Sequence, residues 1–133
     1  VVVPSAMYFH IPLPEFFTAW NAAKEGAENA KLVLGETQEF GGGPLPSSDT
    51  HLFQEVLNKG STIAISCAHD HINDSVVIYN DVALCFGVHS TDRIYYDDSM
   101  LGGQVIVVKA DDPTHRTLAF ENIKNSYSEM EDK

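Results

Sequence analysis

With 133 residues, 44% of them apolar and 20% charged, the chain is the size of one domain with a single core and has ordinary globular composition. Lys and Arg number 8 against 19 Asp and Glu, a net charge of -11. This argues against nucleic acid as a partner, because affinity for phosphate backbones comes from clustered cations. A small phosphorylated substrate stays compatible with such a charge where metal ions invert the local field. No apolar stretch reaches the length of a bilayer span, so no membrane partner is expected.

The first residues, VVVPSAMYF, read as extended structure interrupted at Pro4 and running into His10. They lack the basic segment and cleavage site of a signal peptide. They open within a strand-like run with no initiator Met, as a fragment or a processed chain would. Ile11-Pro12-Leu13-Pro14 breaks the strand and sets Pro14 in the first turn of a helix. Phe16, Phe17, Trp20, Ala23 and Ala27 give that helix its apolar face. From Lys31 to Asp49 the pattern dissolves into a long irregular loop marked by Gly35, Gly41-Gly42-Gly43, Pro44 and Pro46. Its length suits a substrate-facing segment as well as a surface excursion. No Gly-Lys-Ser/Thr follows the glycines, so the sequence does not support Walker-type phosphate binding. Glu36 and Glu39 fall in this loop, where solvated carboxylates are the default.

Ser48 or Asp49 caps a second helix carrying Leu52, Phe53, Val56 and Leu57 and ended by Gly60. Thr62 to Cys67 follows as a strand apolar on both faces, as in the buried middle of an α/β sheet. It delivers the chain to Ala68-His69-Asp70-His71. The runs SVVIY and VALCF flank Asn80-Asp81, a two-residue hairpin connection. QVIVVK and HRTLAFE form a second antiparallel pair around Asp111-Asp112-Pro113. Residues 1–128 form one domain, and Glu129, Glu131 and Asp132 mark 129–133 as a solvated acidic tail. Cys67 and Cys85 each lie in an apolar run and read as buried, reduced thiols; a disulfide requires their strands to be neighbours.

Three histidines stand out. His69 and His71 are two apart, which in extended chain puts both imidazoles on one side. His10 also ends an apolar strand, and histidines at the carboxyl ends of strands in one sheet edge form the usual place of an α/β site. Imidazole suits zinc, iron and related metals. Asp70, Asn73 and Asp74 are placed to accept from the rings, or else supply turn chemistry. His89 reads as an exposed loop residue, and His51 and His115 as structural or solvated. Neither Ser66 nor Cys85 sits in a nucleophile motif.

FHIPLPEF, an apolar strand entering AHDHIND, and then LCFG together resemble the second half of the calcineurin-like metallophosphoesterases, in the branch of the purple acid phosphatases and related fungal phosphatases. The resemblance runs from about Pro4 to Val108. It implies an α/β fold: a mixed β-sheet with helices packed on one side, half of a layered sandwich. It also implies a metal-dependent phosphoester hydrolase acting on a phosphate-ester substrate. This chain would supply His10 and His69 to one metal and His71 to its neighbour, with zinc, iron or manganese as the two ions. No catalytic residue is assigned. The family's Asp-x-His, Gly-Asp-x-x-Asp and Gly-Asn-His-Asp/Glu motifs precede the position of His10 and do not occur here, so the rest of the site would come from an N-terminal half or a self-partner. Ala68 stands where the family has Gly, and Val88-His89-Ser90 replaces a glycine-rich run. The alternative is a non-catalytic metal-binding or protein-interaction module.

Overall fold

The computed structural model describes residues 2–40, 50–110 and 116–124. Its elements in chain order are β1 (Ser5–Tyr8), α1 (Glu15–Glu25), β2 (Ala30–Leu34), α2 (Leu52–Lys59), β3 (Thr62–Cys67), β4 (Val76–Tyr79), β5 (Val82–Phe86), a short 3-10 turn at Asp98–Met100, β6 (Gly102–Ala110) and β7 (Arg116–Lys124). Five strands form a mixed sheet in the order β1-β3-β5-β4-β2, and β6 and β7 form a separate two-stranded ribbon. β1, β3 and β5 pair in parallel, β4 pairs antiparallel with β5, and β2 pairs antiparallel with β4. The α/β class with a mixed sheet and helices on one side is therefore as the sequence implies.

The helices end where local chemistry requires it. Pro14 stands at the cap of α1, and Gly26 closes it in the left-handed conformation at φ 77°. Ala27 accordingly lies beyond the helix, although its spacing placed it on the apolar face. Gly60 closes α2 in the same way at φ 68°. The cap of α2 is His51, itself left-handed at φ 55°. The Ser48 and Asp49 caps, the three glycines at 41–43, Pro44 and Pro46, the Asp111-Asp112-Pro113 turn, His115 and the 129–133 tail all lie outside the described residues. Asn80 and Asp81 both adopt positive φ, 47° and 65°, which is the two-residue turn that joins twisted antiparallel strands.

One expectation fails at Lys31. The segment is not loop: β2 occupies Ala30–Leu34 as an edge strand paired to β4. Three successive exposed residues, Lys31 to Val33, hide the alternation that would mark it.

Strand alternation divides the core in two. Ile65, Cys67, Val77, Val82, Leu84 and Phe86 point to the helices, where Phe16, Ala19, Trp20, Phe53 and Val56 meet them. Ala64, Val76, Ala83 and Cys85 point the other way, against Ile106, Leu118 and Phe120 of the ribbon. The two cysteines illustrate the rule. β3 and β5 are neighbours, but Cys67 pairs with Phe86 and Cys85 with Ser66. A one-residue offset reverses the face, so the thiols lie on opposite sides of the sheet and both are free. Burial pushes each thiol up, that of Cys85 to about 12.

Candidate metal centre

The parallel ladder of β1 and β3 runs on past both strand ends. Phe9 donates its N–H to Ser66 at 3.1 Å, and Ala68 donates to the carbonyl of His10 at 3.0 Å. Residues 10 and 68 are thereby fixed side by side, and His69, at φ 70°, turns its ring towards His10. The two imidazoles meet edge to face with centroids 5.3 Å apart and planes at 88°. His10 is exposed and His69 half-buried. Two of the three expected ligands are thus brought together.

His71 is not part of that pair. Its ring lies against His89, with centroids 4.0 Å apart and planes 13° from parallel, and against Tyr95, at 4.3 Å and 14°. Two rings that close and that parallel cannot share one face, so the imidazole is sandwiched between them. Its Nδ1 lies 2.8 Å from the Tyr95 carbonyl oxygen. His89 is therefore a half-buried neighbour of the site, not the exposed loop residue its sequence suggests. Burial, and then the nearby His71, lower its affinity for a proton. Its Nε2 is buried with no partner among the described residues.

The acidic and amide residues after His69 do different work from imidazole orientation. Asn73 accepts from the N–H groups of Gln38 and Glu39 at 2.8 and 2.9 Å and donates to the Glu39 carbonyl at 2.7 Å. Asp74 accepts from the Glu36 N–H at 2.7 Å and from Lys124 Nζ at 2.7 Å. Neither hydrogen bonds to an imidazole among the described residues. Both instead hold the strand-like 35–39 segment against the sheet, and a Cβ at Gly35 would collide with the Asp74 carbonyl. Glu39, read as a solvated loop carboxylate, is delivered into the site by this anchoring. Its carboxylate accepts the His71 backbone N–H at 3.1 Å and the Tyr95 hydroxyl at 2.5 Å. The bond to Glu39 is the main reason the Tyr95 phenol is pushed up to about 12.

Asp70, between His69 and His71 in sequence, is 3% exposed. Its Oδ2 accepts from Asn73 at 3.1 Å, whereas Oδ1 is buried without a partner among the described residues. Burial first, and then Glu39, raise its pKa, against opposing pulls from His69, Asn73 and His71. A buried carboxylate oxygen with no donor suits a cation. Two imidazoles sharing one tetrahedral ion at about 2 Å set their centres about 5 Å apart, close to the His10–His69 spacing. Yet among the described residues no three His, Cys, Asp or Glu converge into a group able to hold a metal. The donor set fits part of a coordination shell, not a whole one.

The chain is 33% identical over 88 residues to a protein of Arabidopsis thaliana named "Probable inactive purple acid phosphatase 29". That match covers 65% of this chain and 20% of the relative, so the chain spans about a fifth of that protein's length. No family model matches the chain. No solved structure matches it. The similarity is to the phosphatase family, distant and partial.

Proposed function

We propose that the chain is the C-terminal share of a metal-dependent phosphoester hydrolase of the calcineurin-like kind. In this reading His10 and His69 hold one ion and His71 holds its neighbour. The observation that carries it is the pairing of His10 with His69 at the carboxyl ends of two parallel strands, the position where sheets of this class bind ligands. Asp70 adds a buried negative charge whose cost a cation would offset. The metal pair, zinc, iron or manganese, would supply Lewis acidity and a nucleophilic oxygen for a phosphate-ester substrate. This chain's residues would bind and orient those ions.

The remaining ligands would come from an N-terminal half of the same protein or from a self-partner. Two features support a missing neighbour. β1 is an edge of the sheet with Val2, Val3 and Tyr8 exposed beside it. The outer face of the ribbon exposes Val105, Val107 and Ile123. One observation favours a second reading, a non-catalytic metal-binding or interaction module: the relative's own name carries the word inactive.

Metal content of the purified chain, followed by zinc and manganese titration, tests the reading. His10→Ala and His69→Ala should each weaken binding of the same ion by at least about tenfold, as expected on losing one of few ligands. Equal affinity in all three proteins would sink the assignment. Turnover of an aryl phosphate by the chain joined to its N-terminal half, and none by the joined His69→Ala variant, separates the hydrolase from the non-catalytic module.

A further inference from the structure

Two segments far from His71 in sequence converge on it: His89 and Tyr95 contact its ring and Glu39 its backbone N–H, and the ring contacts leave one nitrogen available. A carbonyl oxygen only accepts, so the 2.8 Å contact with the Tyr95 carbonyl places the proton on His71 Nδ1. Stacking by His89 and Tyr95 at 4.0 and 4.3 Å resists rotation of the ring. Among the described residues Nε2 has no hydrogen-bond partner. The Tyr95 carbonyl is held in turn, because the hydroxyl of the same residue donates to Glu39 Oε1 at 2.5 Å. Glu39 Oε2 accepts the His71 backbone N–H at 3.1 Å, so one carboxylate ties both ends of the contact. Asn73 fixes the Glu39 backbone through the Gln38 and Glu39 N–H groups and the Glu39 carbonyl.

We infer that Glu39 and Tyr95 form a clamp that holds His71 in the Nδ1–H tautomer and presents its Nε2 lone pair outward as a metal ligand. Both are positioning residues that act through His71. The metal half of the statement rests on the reading of His71 as a ligand; the tautomer half does not. The physical logic is that a ligating imidazole fixed through its other nitrogen loses less rotational and tautomeric freedom on binding. His89 contributes by filling the opposite face of the ring, which keeps the imidazole from swinging away from the Tyr95 carbonyl.

The test uses the whole chain labelled with 15N at histidine. Two-bond proton–nitrogen spectra of the metal-free protein near neutral pH should show His71 as a single Nδ1–H tautomer. Tyr95→Phe deletes only a hydroxyl from a residue that is 53% exposed, so the fold should survive it. In that variant, and in Glu39→Ala, the His71 signals should move towards the two-tautomer average. Zinc affinity should fall about 10- to 100-fold in both, the usual consequence of releasing a ligand's outer partner. The double variant should lose no more than the worse single one, because both break the same tether. A mixed tautomer in the unaltered chain, or an unchanged one in the Tyr95→Phe variant, overturns the clamp. Lost tautomer fixation with unchanged zinc affinity overturns its role in ligation. An unaltered chain that binds no zinc while the tautomer pattern holds counts against the metal reading and for the clamp.

Discussion

Against one face of the five-stranded sheet lie two amphipathic helices, and the other face is closed by a two-stranded ribbon. The helix face is aromatic and dry: Phe86 meets Phe16 edge to face with centroids at 5.0 Å, and Trp20 and Phe53 complete the layer. The ribbon face presents small side chains, Ala64, Ala83 and Cys85, and is joined by polar contacts as well. Lys124 reaches Asp74 at 2.7 Å, Asn122 donates to the Asp74 carbonyl at 2.9 Å, and Gln104 donates to the Phe86 carbonyl at 3.1 Å. Apolar area decides how firmly the first face closes. The second depends on the geometry of a few hydrogen bonds, so the two should respond differently to truncation and to salt.

The largest effect is expected on the helix face. Phe86 is 1% exposed and its ring packs against Phe16 and Phe17 of α1. Phe86→Ala should cost about 3–5 kcal/mol, the range for emptying a well-packed aromatic site. Urea unfolding with an unchanged slope would measure it. A loss below about 1 kcal/mol would mean that this face is not the principal core.

A smaller and salt-dependent effect is expected across the sheet. Lys124→Met keeps the aliphatic stem and removes the cation from Asp74, whose side chain is 1% exposed against 39% for Lys124. The carboxylate keeps two neutral donors, the Glu36 N–H and Asn122. The cost should therefore be about 1–2 kcal/mol and not the full penalty of an isolated buried charge. Because Lys124 is partly in water, the difference from the unaltered chain should shrink at high salt. A cost that salt leaves unchanged would mean that the lysine acts through packing, and the contrast between the faces would lose its electrostatic half.

How far the sequence revealed this arrangement depends on the range of the interaction. Both helices, β3 and the Asn80-Asp81 hairpin follow from apolar spacing and turn chemistry within a dozen residues. So does the convergence of His10 and His69, since both follow strands that a parallel sheet must align at one edge. The β2 strand escaped because an edge strand with Lys31, Leu32 and Val33 all exposed shows no alternation. The signal available was the apolar Leu32-Val33-Leu34 run between Asn29 and Gly35. The roles of Glu39, His89 and Tyr95 left no local trace. Glu39 bonds to residues 32 and 56 positions away, and nothing in its neighbours distinguishes it from a solvated carboxylate. Asn73 and Asp74 were legible as polar residues after a histidine pair, but their partners lie on a segment whose course only the fold discloses.

The smallest effect is expected where the two faces meet, at the carboxyl edge, and its sign differs from the others. Asp70 is buried with one oxygen unpartnered, and its pKa is raised from the usual 3.8, chiefly by burial and next by Glu39. Below pH 3.8 the folded and unfolded chains both hold the proton, and the carboxyl contributes no penalty. As pH rises past that value the unfolded chain ionises first. The folded state then binds more protons, so stability falls with pH until the folded carboxyl also ionises, and it stays lowered above. Asp70→Asn keeps an oxygen for the Asn73 donor and removes the charge. The metal-free variant should therefore melt above the parent near neutral pH, with the gain vanishing towards pH 3.8. If the charge serves a cation, saturating zinc should narrow or reverse that gain, because ligand binding to the native state stabilises the parent more. A gain that persists at low pH would mean that Asn packs better than Asp there, and the electrostatic account of this edge would fail.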